Sequence, residues 1–210
     1  MDIIVVGAGG FAKEVAFLIQ RLPEYNLIGF VDDDSKKHFD TVYGKPVLGA
    51  IDKLVNWKEP IGVAIGVASP KIKGIILEKL KKNKNLKFPN LIDPTALIGF
   101  NIKFGEGNVV MANTTFVADI NIGNFNMINI GSTIGHDSTI GDFNSIYPTV
   151  SISGHTLIQN NIEIGVGAKL IQNISIGDSS IVGAGSVVIR NIDKNTKNVG
   201  NPTRVIESWE

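Results

Sequence analysis

The sequence predicts two units built on different patterns. A small α/β unit with a parallel sheet spans residues 1–89, and a solenoid of short parallel strands spans residues 90–210 and closes on a short C-terminal arm. Two observations carry this reading. Up to Phe88-Pro89-Asn90, short β-branched runs alternate with helical patterns. Beyond that point helical patterns vanish, and a large apolar residue returns at every sixth position.

In the first unit, Ile3–Val6 reads as a buried strand and Gly7-Ala8-Gly9-Gly10 as a turn. Ala12 to Arg21 reads as a helix, with Val15, Leu18, Ile19 and Leu22 on one face. Ile28–Val31 is a second strand, ending at Asp32-Asp33-Asp34, and Ile61–Ile65 is a third. Ser69-Pro70 is a helix start, with Ser as cap and Pro at the first helical position. Ile72, Ile75, Ile76 and Leu80 follow as the apolar stripe of that helix. Strand–helix alternation of this kind implies a Rossmann-like parallel sheet.

In the second unit, seventeen consecutive sixth positions are large and apolar, from Ile92, Ile98, Phe104 and Val110 through to Val182 and Val188. Chance produces such a run with a probability on the order of one in a million per register. A period of six fits a short strand plus a tight turn, and three hexads make one triangular coil of 18 residues. Such coils bury a core only by stacking. Glycine often follows the apolar position, as at Gly99, Gly135 and Gly165, and is assigned to the turn, where it supplies positive φ. The period leaves the hand of the solenoid open, since parallel crossovers are normally right-handed.

Composition removes several function classes. The chain has 210 residues, with 20 basic and 20 acidic side chains, so no broad electrostatic footprint for nucleic acid or an anionic membrane is present. It has no cysteine, which excludes disulfides, Cys-ligated zinc, iron–sulfur clusters and a thiol nucleophile. The longest apolar run, Ile61 to Ala68, is too short to cross a bilayer. The opening residues lack a signal-peptide pattern, so the cytoplasm is the expected location. The histidines are His38, His136 and His155.

Function must come from residues that the repeat does not require. His136 and Asp137 fall two and three places after Ile134, at a corner where packing needs neither. His155 follows Asp137 by 18 residues, so the two stack in adjacent coils, about 4.8 Å apart. Gly7-x-Gly9-x-x-Ala12 fits the dinucleotide fingerprint, with Asp32 placed for a ribose hydroxyl, and taken alone suggests NAD. The sheet is only half a dinucleotide fold, however, and no second catalytic domain follows it. The same helix N-terminus holds a nucleotide-sugar equally well. Gly7, Gly9, Gly10 and Asp32 or Asp33 are therefore assigned to the nucleotide part of an acceptor.

Taken together, these features resemble the NeuD/PglD-type family of sugar acetyltransferases. The resemblance covers essentially the whole chain. It includes Gly7-Ala8-Gly9-Gly10, Asp32-Asp33, Asn129-x6-His136-Asp137 and the closing Gly200-Asn201-Pro202. It implies a left-handed parallel β-helix assembled as a homotrimer, with active sites between subunits. It implies His136 as general base, Asp137 as the group that orients it, and Asn129 on the substrate side. Acetyl-CoA is expected as co-substrate along Gly165, Gly167, Ala168, Gly183 and Ala184, with Pro202 near the adenine. Lys169, Arg190 and Arg204 either meet its phosphates or are plain surface. The chain departs from the family at Ser145, where a second histidine often stands, and at Phe11, where a histidine usually follows the Gly pair. His155 is assigned to the cofactor side in place of the missing histidine.

The expected activity is acetyl transfer from acetyl-CoA to the amine of a nucleotide-linked 4-amino-deoxy sugar in bacterial glycan biosynthesis. O-acetylation of sialic acid is the alternative, and a non-catalytic nucleotide-binding scaffold ranks below it. A β-helical carbonic anhydrase needs three zinc-ligating histidines, which the solenoid lacks, so no metal is expected.

Overall fold

The computed structural model describes all 210 residues, in two compact units, Met1–Pro94 and Thr95–Glu210. The first runs β1 (Asp2–Val6), α1 (Gly10–Gln20), β2 (Asn26–Val31), a hairpin of β3 (Thr41–Val42) and β4 (Lys45–Pro46), α2 (Asp52–Val55), β5 (Ile61–Ile65), α3 (Pro70–Leu80) and β6 (Leu86–Lys87). Its sheet is parallel throughout, in the order β2-β1-β5-β6. Strand β1 lies inside the sheet, and Ile3, Ile4, Val5 and Val6 are fully buried, as a continuous apolar run in a parallel strand requires. Helix α1 turns Ala12, Val15, Ala16, Leu18 and Ile19 inward. This is the Rossmann-like architecture that the strand–helix alternation implies.

Helix α3 departs from its expected face. Ile76 and Leu80 are buried, but Ile72 and Ile75 are 47% and 61% exposed, and Pro70 and Lys73 complete the inward line instead. The apolar residues span a wider arc than the helix buries, and periodicity does not say which edge of that arc turns in. Ser69 is the N-cap, but its side chain makes no capping hydrogen bond; Pro70 alone marks the start.

The first compact unit runs to Pro94, and Asp93 within it is buried. The Arg21 guanidinium grips the Asp93 carboxylate with two bonds, Nε–Oδ2 at 2.6 Å and Nη2–Oδ1 at 3.1 Å. That bidentate pair ties residue 93 to the end of α1, so the compact unit ends at Pro94.

The second unit is a solenoid of about six coils. Each short strand pairs in parallel with the strand 18 residues on: Phe116 with Ile134, Ile134 with Ile152, and Ile152 with Leu170 on one face. Met127–Ile128 pairs with Ser145–Ile146 on another face, and Thr139–Ile140 with Leu157–Ile158 on the third. Every sixth residue from Val110 to Val188 is at most 4% exposed. The row fails only at its start, where Ile98 is 43% exposed, because a terminal coil has a neighbouring coil on one side only. Thr196–Val199 and Arg204–Ser208 close the chain as an antiparallel pair.

The glycines that follow the apolar position do not supply positive φ. That conformation falls two places later, at Asn113, Asp119, Asp137, His155, Asn173 and their equivalents, where Asn and Asp are frequent. The glycines are there because coils touch. A Cβ on Gly99 would lie 1.8 Å from the Val117 carbonyl oxygen, and one on Gly135 would lie 2.5 Å from the Gly154 nitrogen. No helix of the chain is long and apolar enough to cross a membrane.

Candidate functional site

Two places in the chain gather functional groups, one in each unit. In the solenoid, the coil carries His136 and Asp137 out at a corner, since Ile134 is fully buried and Ser138 turns back into the interior. Asp137 takes the left-handed backbone conformation at φ 55°, which carboxylate and amide residues tolerate best. His136 Nδ1 lies 2.7 Å from Asp137 Oδ2, and the two side chains are 53% and 46% exposed. A carboxylate can only accept, so Nδ1 carries the hydrogen and Nε2 is left to take a proton.

His155 stacks on this pair as the 18-residue spacing implies. Its N–H donates to the His136 carbonyl at 2.8 Å, and its Nε2 lies 3.5 Å from the same Asp137 Oδ2. The two imidazoles meet edge to face, with centroids 5.1 Å apart. Asp137 thus sits between two rings. The hydrogen bond from His136 holds its carboxyl below the ordinary carboxylate range. Partial burial opposes that shift, and the nearby His155 and His136 charges add to it. The carboxylate therefore stays ionised through the range in which histidines titrate. The ligand atoms of His136, Asp137 and His155 lie within 4.8 Å of one another, and His136 Nδ1 and Asp137 Oδ2 are engaged by their mutual hydrogen bond.

Asn129 is placed differently from these three. It is 4% exposed, and its Oδ1 accepts the Ile130 N–H at 2.7 Å, so it shapes the corner from within. Among the residues assigned to the cofactor, Gly167 takes φ 69° at a corner, and Ala184 and Pro202 are exposed. Ala168 is fully buried, and Gly165 and Gly183 are close-contact positions: a Cβ on them would meet Ala184 N at 2.5 Å and Val199 Cγ1 at 2.7 Å. Lys169, Arg190 and Arg204 are all exposed.

In the first unit, the Gly-rich turn connects β1 to α1. Gly7 is needed for its conformation, φ 96°, and a Cβ there would press on the Gly66 carbonyl at 3.0 Å. Gly9 and Gly10 are exposed, and a Cβ on either would meet nothing within 4 Å. Gly9 is the helix N-cap, with no side chain to cap the first turn. The N-terminus of α1 is thus left open, with backbone N–H groups available to an anion.

The Asp32 carboxylate faces its own chain. It accepts from Ala8 N–H at 2.8 Å, Asp34 N–H at 2.9 Å and Lys37 Nζ at 2.9 Å. Asp33 accepts from Ile51 N–H at 2.9 Å, with Lys79 Nζ 3.7 Å from its other oxygen. Beside them lies a cleft of about 430 Å³, lined by Ala8, Lys13, Lys37, Asp40, Thr41, Val42, Tyr43 and Val47. Lys13, Lys37 and Tyr43 went unmarked in the sequence reading. Lys13 lies one helical turn after Gly9, so the pattern reaches it; Lys37 ends a three-residue 3-10 helix and Tyr43 sits in a hairpin turn, where no period points to them.

Partial burial raises the Asp32 pKa, and the bonds from Asp34, Lys37 and Ala8 outweigh it, so the group lies below the ordinary carboxylate range. A carboxyl with a depressed pKa stabilises the fold above its unfolded pKa, near 3.9, and that contribution fades as pH falls through the folded value. Asp32→Asn is therefore expected to lower Tm by several degrees at pH 7. The difference from wild type should shrink as pH falls below that unfolded value toward the lower folded one. A pH-independent difference in a thermal-unfolding series would remove the ionic part of this account.

Comparison with known proteins adds to this geometry. The family model of the PglD N-terminal domain matches residues 2–80. The acetyltransferase domain of PglB from Neisseria gonorrhoeae, solved in complex with acetyl coenzyme A, is 30% identical. The match covers 98% of this chain and 98% of that one, with a TM-score of 0.88. A histidine-to-asparagine mutant of perosamine N-acetyltransferase from Caulobacter crescentus, solved with CoA and GDP-perosamine, is 25% identical. That match covers 99% and 98% of the two chains, with a TM-score of 0.90. A serine acetyltransferase of Synechococcus elongatus is 46% identical over 52 residues, which is 25% of this chain and 21% of that protein. The chain thus spans less than two thirds of the length of the curated relatives it first matches.

The hexad solenoid with an imidazole–carboxylate pair at one corner defines a class, the left-handed β-helix acyltransferases. Within that class, the chain belongs to the NeuD/PglD-type family of sugar acetyltransferases.

Proposed function

We propose that this protein transfers the acetyl group of acetyl-CoA to the amine of a nucleotide-linked amino sugar, with His136 as general base. The observation that carries the reading is the 2.7 Å bond between His136 Nδ1 and Asp137 Oδ2 at an exposed corner, which leaves Nε2 as the basic nitrogen of the ring. In the reaction, the sugar amine attacks the thioester carbonyl carbon. His136 Nε2 takes the proton that the amine loses, and the imidazolium is stabilised by the ionised Asp137. The carbon–sulfur bond breaks, the proton passes to the departing thiolate, and His136 is again neutral. Backbone N–H groups stabilise the tetrahedral oxyanion. No covalent acyl-enzyme is needed, in keeping with a chain that has no cysteine.

The acceptor's nucleotide is assigned to the first unit. Its diphosphate faces the open N-terminus of α1, with Lys13 and Lys37 of the adjoining cleft as counter-charges. Asp32 acts there indirectly, by holding Lys37 and the Ala8 N–H in place. Acetyl-CoA is assigned to the solenoid surface near Gly167, Ala184 and Pro202, with homotrimer formation completing its groove. Light scattering should then return three times the 22.6 kDa chain mass. The 25%-identical perosamine N-acetyltransferase, solved in complex with CoA and GDP-perosamine, supports an amine on a nucleotide-linked sugar as the acceptor.

A thiol-release assay tests the reading. Acetyl-CoA is mixed with 4-amino sugars linked to UDP, GDP or dTDP, and separately with free sialic acid. The cysteine-free chain contributes no background thiol. Release with one amino-sugar nucleotide is the expected result. Release with sialic acid alone would replace N-acetylation by O-acetylation. No release with any acceptor would leave only a binding scaffold.

A further inference from the structure

Beneath His136 lies a gap in an otherwise regular row. The position two places after the buried apolar residue is Ala118, His136, Gly154, Gln172 and Arg190 in successive coils on this face. The corner accepts a side chain in four of these five coils, so the solenoid itself does not demand glycine there. Backbone conformation does not demand it either, since Gly154 is not among the glycines with positive φ. The three atoms nearest to a Cβ built on Gly154 all belong to one imidazole: His136 Cε1 and Nε2 at 2.7 Å and Cδ2 at 3.0 Å. The ring lies directly over the bare Cα, with His155 meeting it edge to face on one side.

We propose that Gly154 is a positioning residue for His136. The missing side chain is the seat of the imidazole, and the space it leaves holds the Cε1–Nε2 edge of the ring while Nδ1 reaches Asp137. The catalytic consequence rests on the reading of His136 as base given above; the seating itself does not. A methyl group on Gly154 occupies the place of the ring, and the ring is the movable partner because it ends a rotatable side chain. The imidazole then turns about χ1, the 2.7 Å bond to Asp137 breaks, and Nε2 is displaced. The fold keeps its backbone.

The test uses the full-length protein with isotope-labelled histidine. The chain has three histidines, and the His136 imidazole signals are identified by their loss in His136→Asn. In Gly154→Ala, those imidazole nitrogen shifts should move away from the pattern of a ring hydrogen-bonded through Nδ1. In the thiol-release assay kcat should fall about 10- to 100-fold, the scale of a misplacement near 1 Å. The KM for acetyl-CoA should stay within about twofold of wild type, as expected when an interaction made only in the transition state is lost. Gln172→Ala trims the side chain in the same row one coil further on to a methyl group and should leave kcat unchanged. Unaltered His136 shifts in Gly154→Ala would overturn the seating. Altered shifts with wild-type kcat, in an enzyme that His136→Asn inactivates, would overturn the positioning role. Full turnover in His136→Asn would refute the base instead, and the imidazole shifts would still decide the seating.

Discussion

His136→Asn is expected to lower kcat in the thiol-release assay by about 10²- to 10⁴-fold, the usual contribution of a positioned general base. Asparagine keeps a polar side chain of similar reach but has no group that accepts a proton near pH 7. The KM for acetyl-CoA should change little, because the substituted nitrogen acts on the amine and not on the thioester carrier. Asp137→Asn should give a smaller loss, since it keeps an acceptor for Nδ1 and removes only the charge that stabilises the imidazolium. Asp137 is held ionised below the ordinary carboxylate range by the His136 hydrogen bond. Ionisation of this carboxylate should therefore not set the acid limb of the wild-type pH–rate profile. Retention of wild-type kcat by His136→Asn would transfer the base to another group.

Asn126→Ala is expected to give the largest loss of stability among single polar substitutions in the solenoid. Asn108, Asn126 and Asn144 stack 18 residues apart inside one corner, and all three are at most 1% exposed. Asn126 Nδ2 donates to Asn108 Oδ1 at 3.1 Å and to the Gly141 carbonyl at 2.8 Å, and its Oδ1 accepts the Asn144 N–H at 2.8 Å. Alanine removes all of these at once and leaves buried backbone groups without the partners shown here. An unsatisfied buried group costs about 1–3 kcal/mol, so the ladder's centre is worth roughly 2–4 kcal/mol. For a chain of this size that lowers Tm by about 5–12 °C. Thermal unfolding followed by circular dichroism reads this directly. A Tm within a degree of wild type would mean that water or relaxation replaces the ladder.

Much of the fold is legible because its rules are local and repeated. A hexad period with a buried apolar residue reads as a stacked triangular solenoid, though not as its hand, and the structure buries that residue in every coil from Val110 onward. The period also carries the site's most specific geometry. An interval of 18 residues means one coil, so the stacking of His155 on Asp137 follows from their numbers. What failed to read correctly did so for identifiable reasons. Ile72 and Ile75 belong to the apolar arc of α3 yet stay exposed, because the orientation of a helix is set by what it packs against. The glycines after each apolar residue serve contact between coils and not turn conformation, and a single coil viewed alone cannot reveal its neighbour's carbonyls. Asp32 sits where a ribose partner belongs in a dinucleotide fold; its further contacts with Lys37 and the Ala8 N–H come from a loop path that no motif encodes.

Sequence alone thus determined the two repeating patterns, the coil register and the stacking of His155 on Asp137, because each depends on spacing along the chain. Tertiary structure decided which groups those spacings bring into contact. It made Asp137 the shared neighbour of two imidazoles, gathered Lys13, Lys37 and Tyr43 around one cleft, and set the His136 ring over the bare backbone of Gly154. The physical reason is range. Periodicity fixes where a backbone atom lies to within a coil, whereas side-chain direction is settled over a few ångströms by neighbours that are distant in sequence.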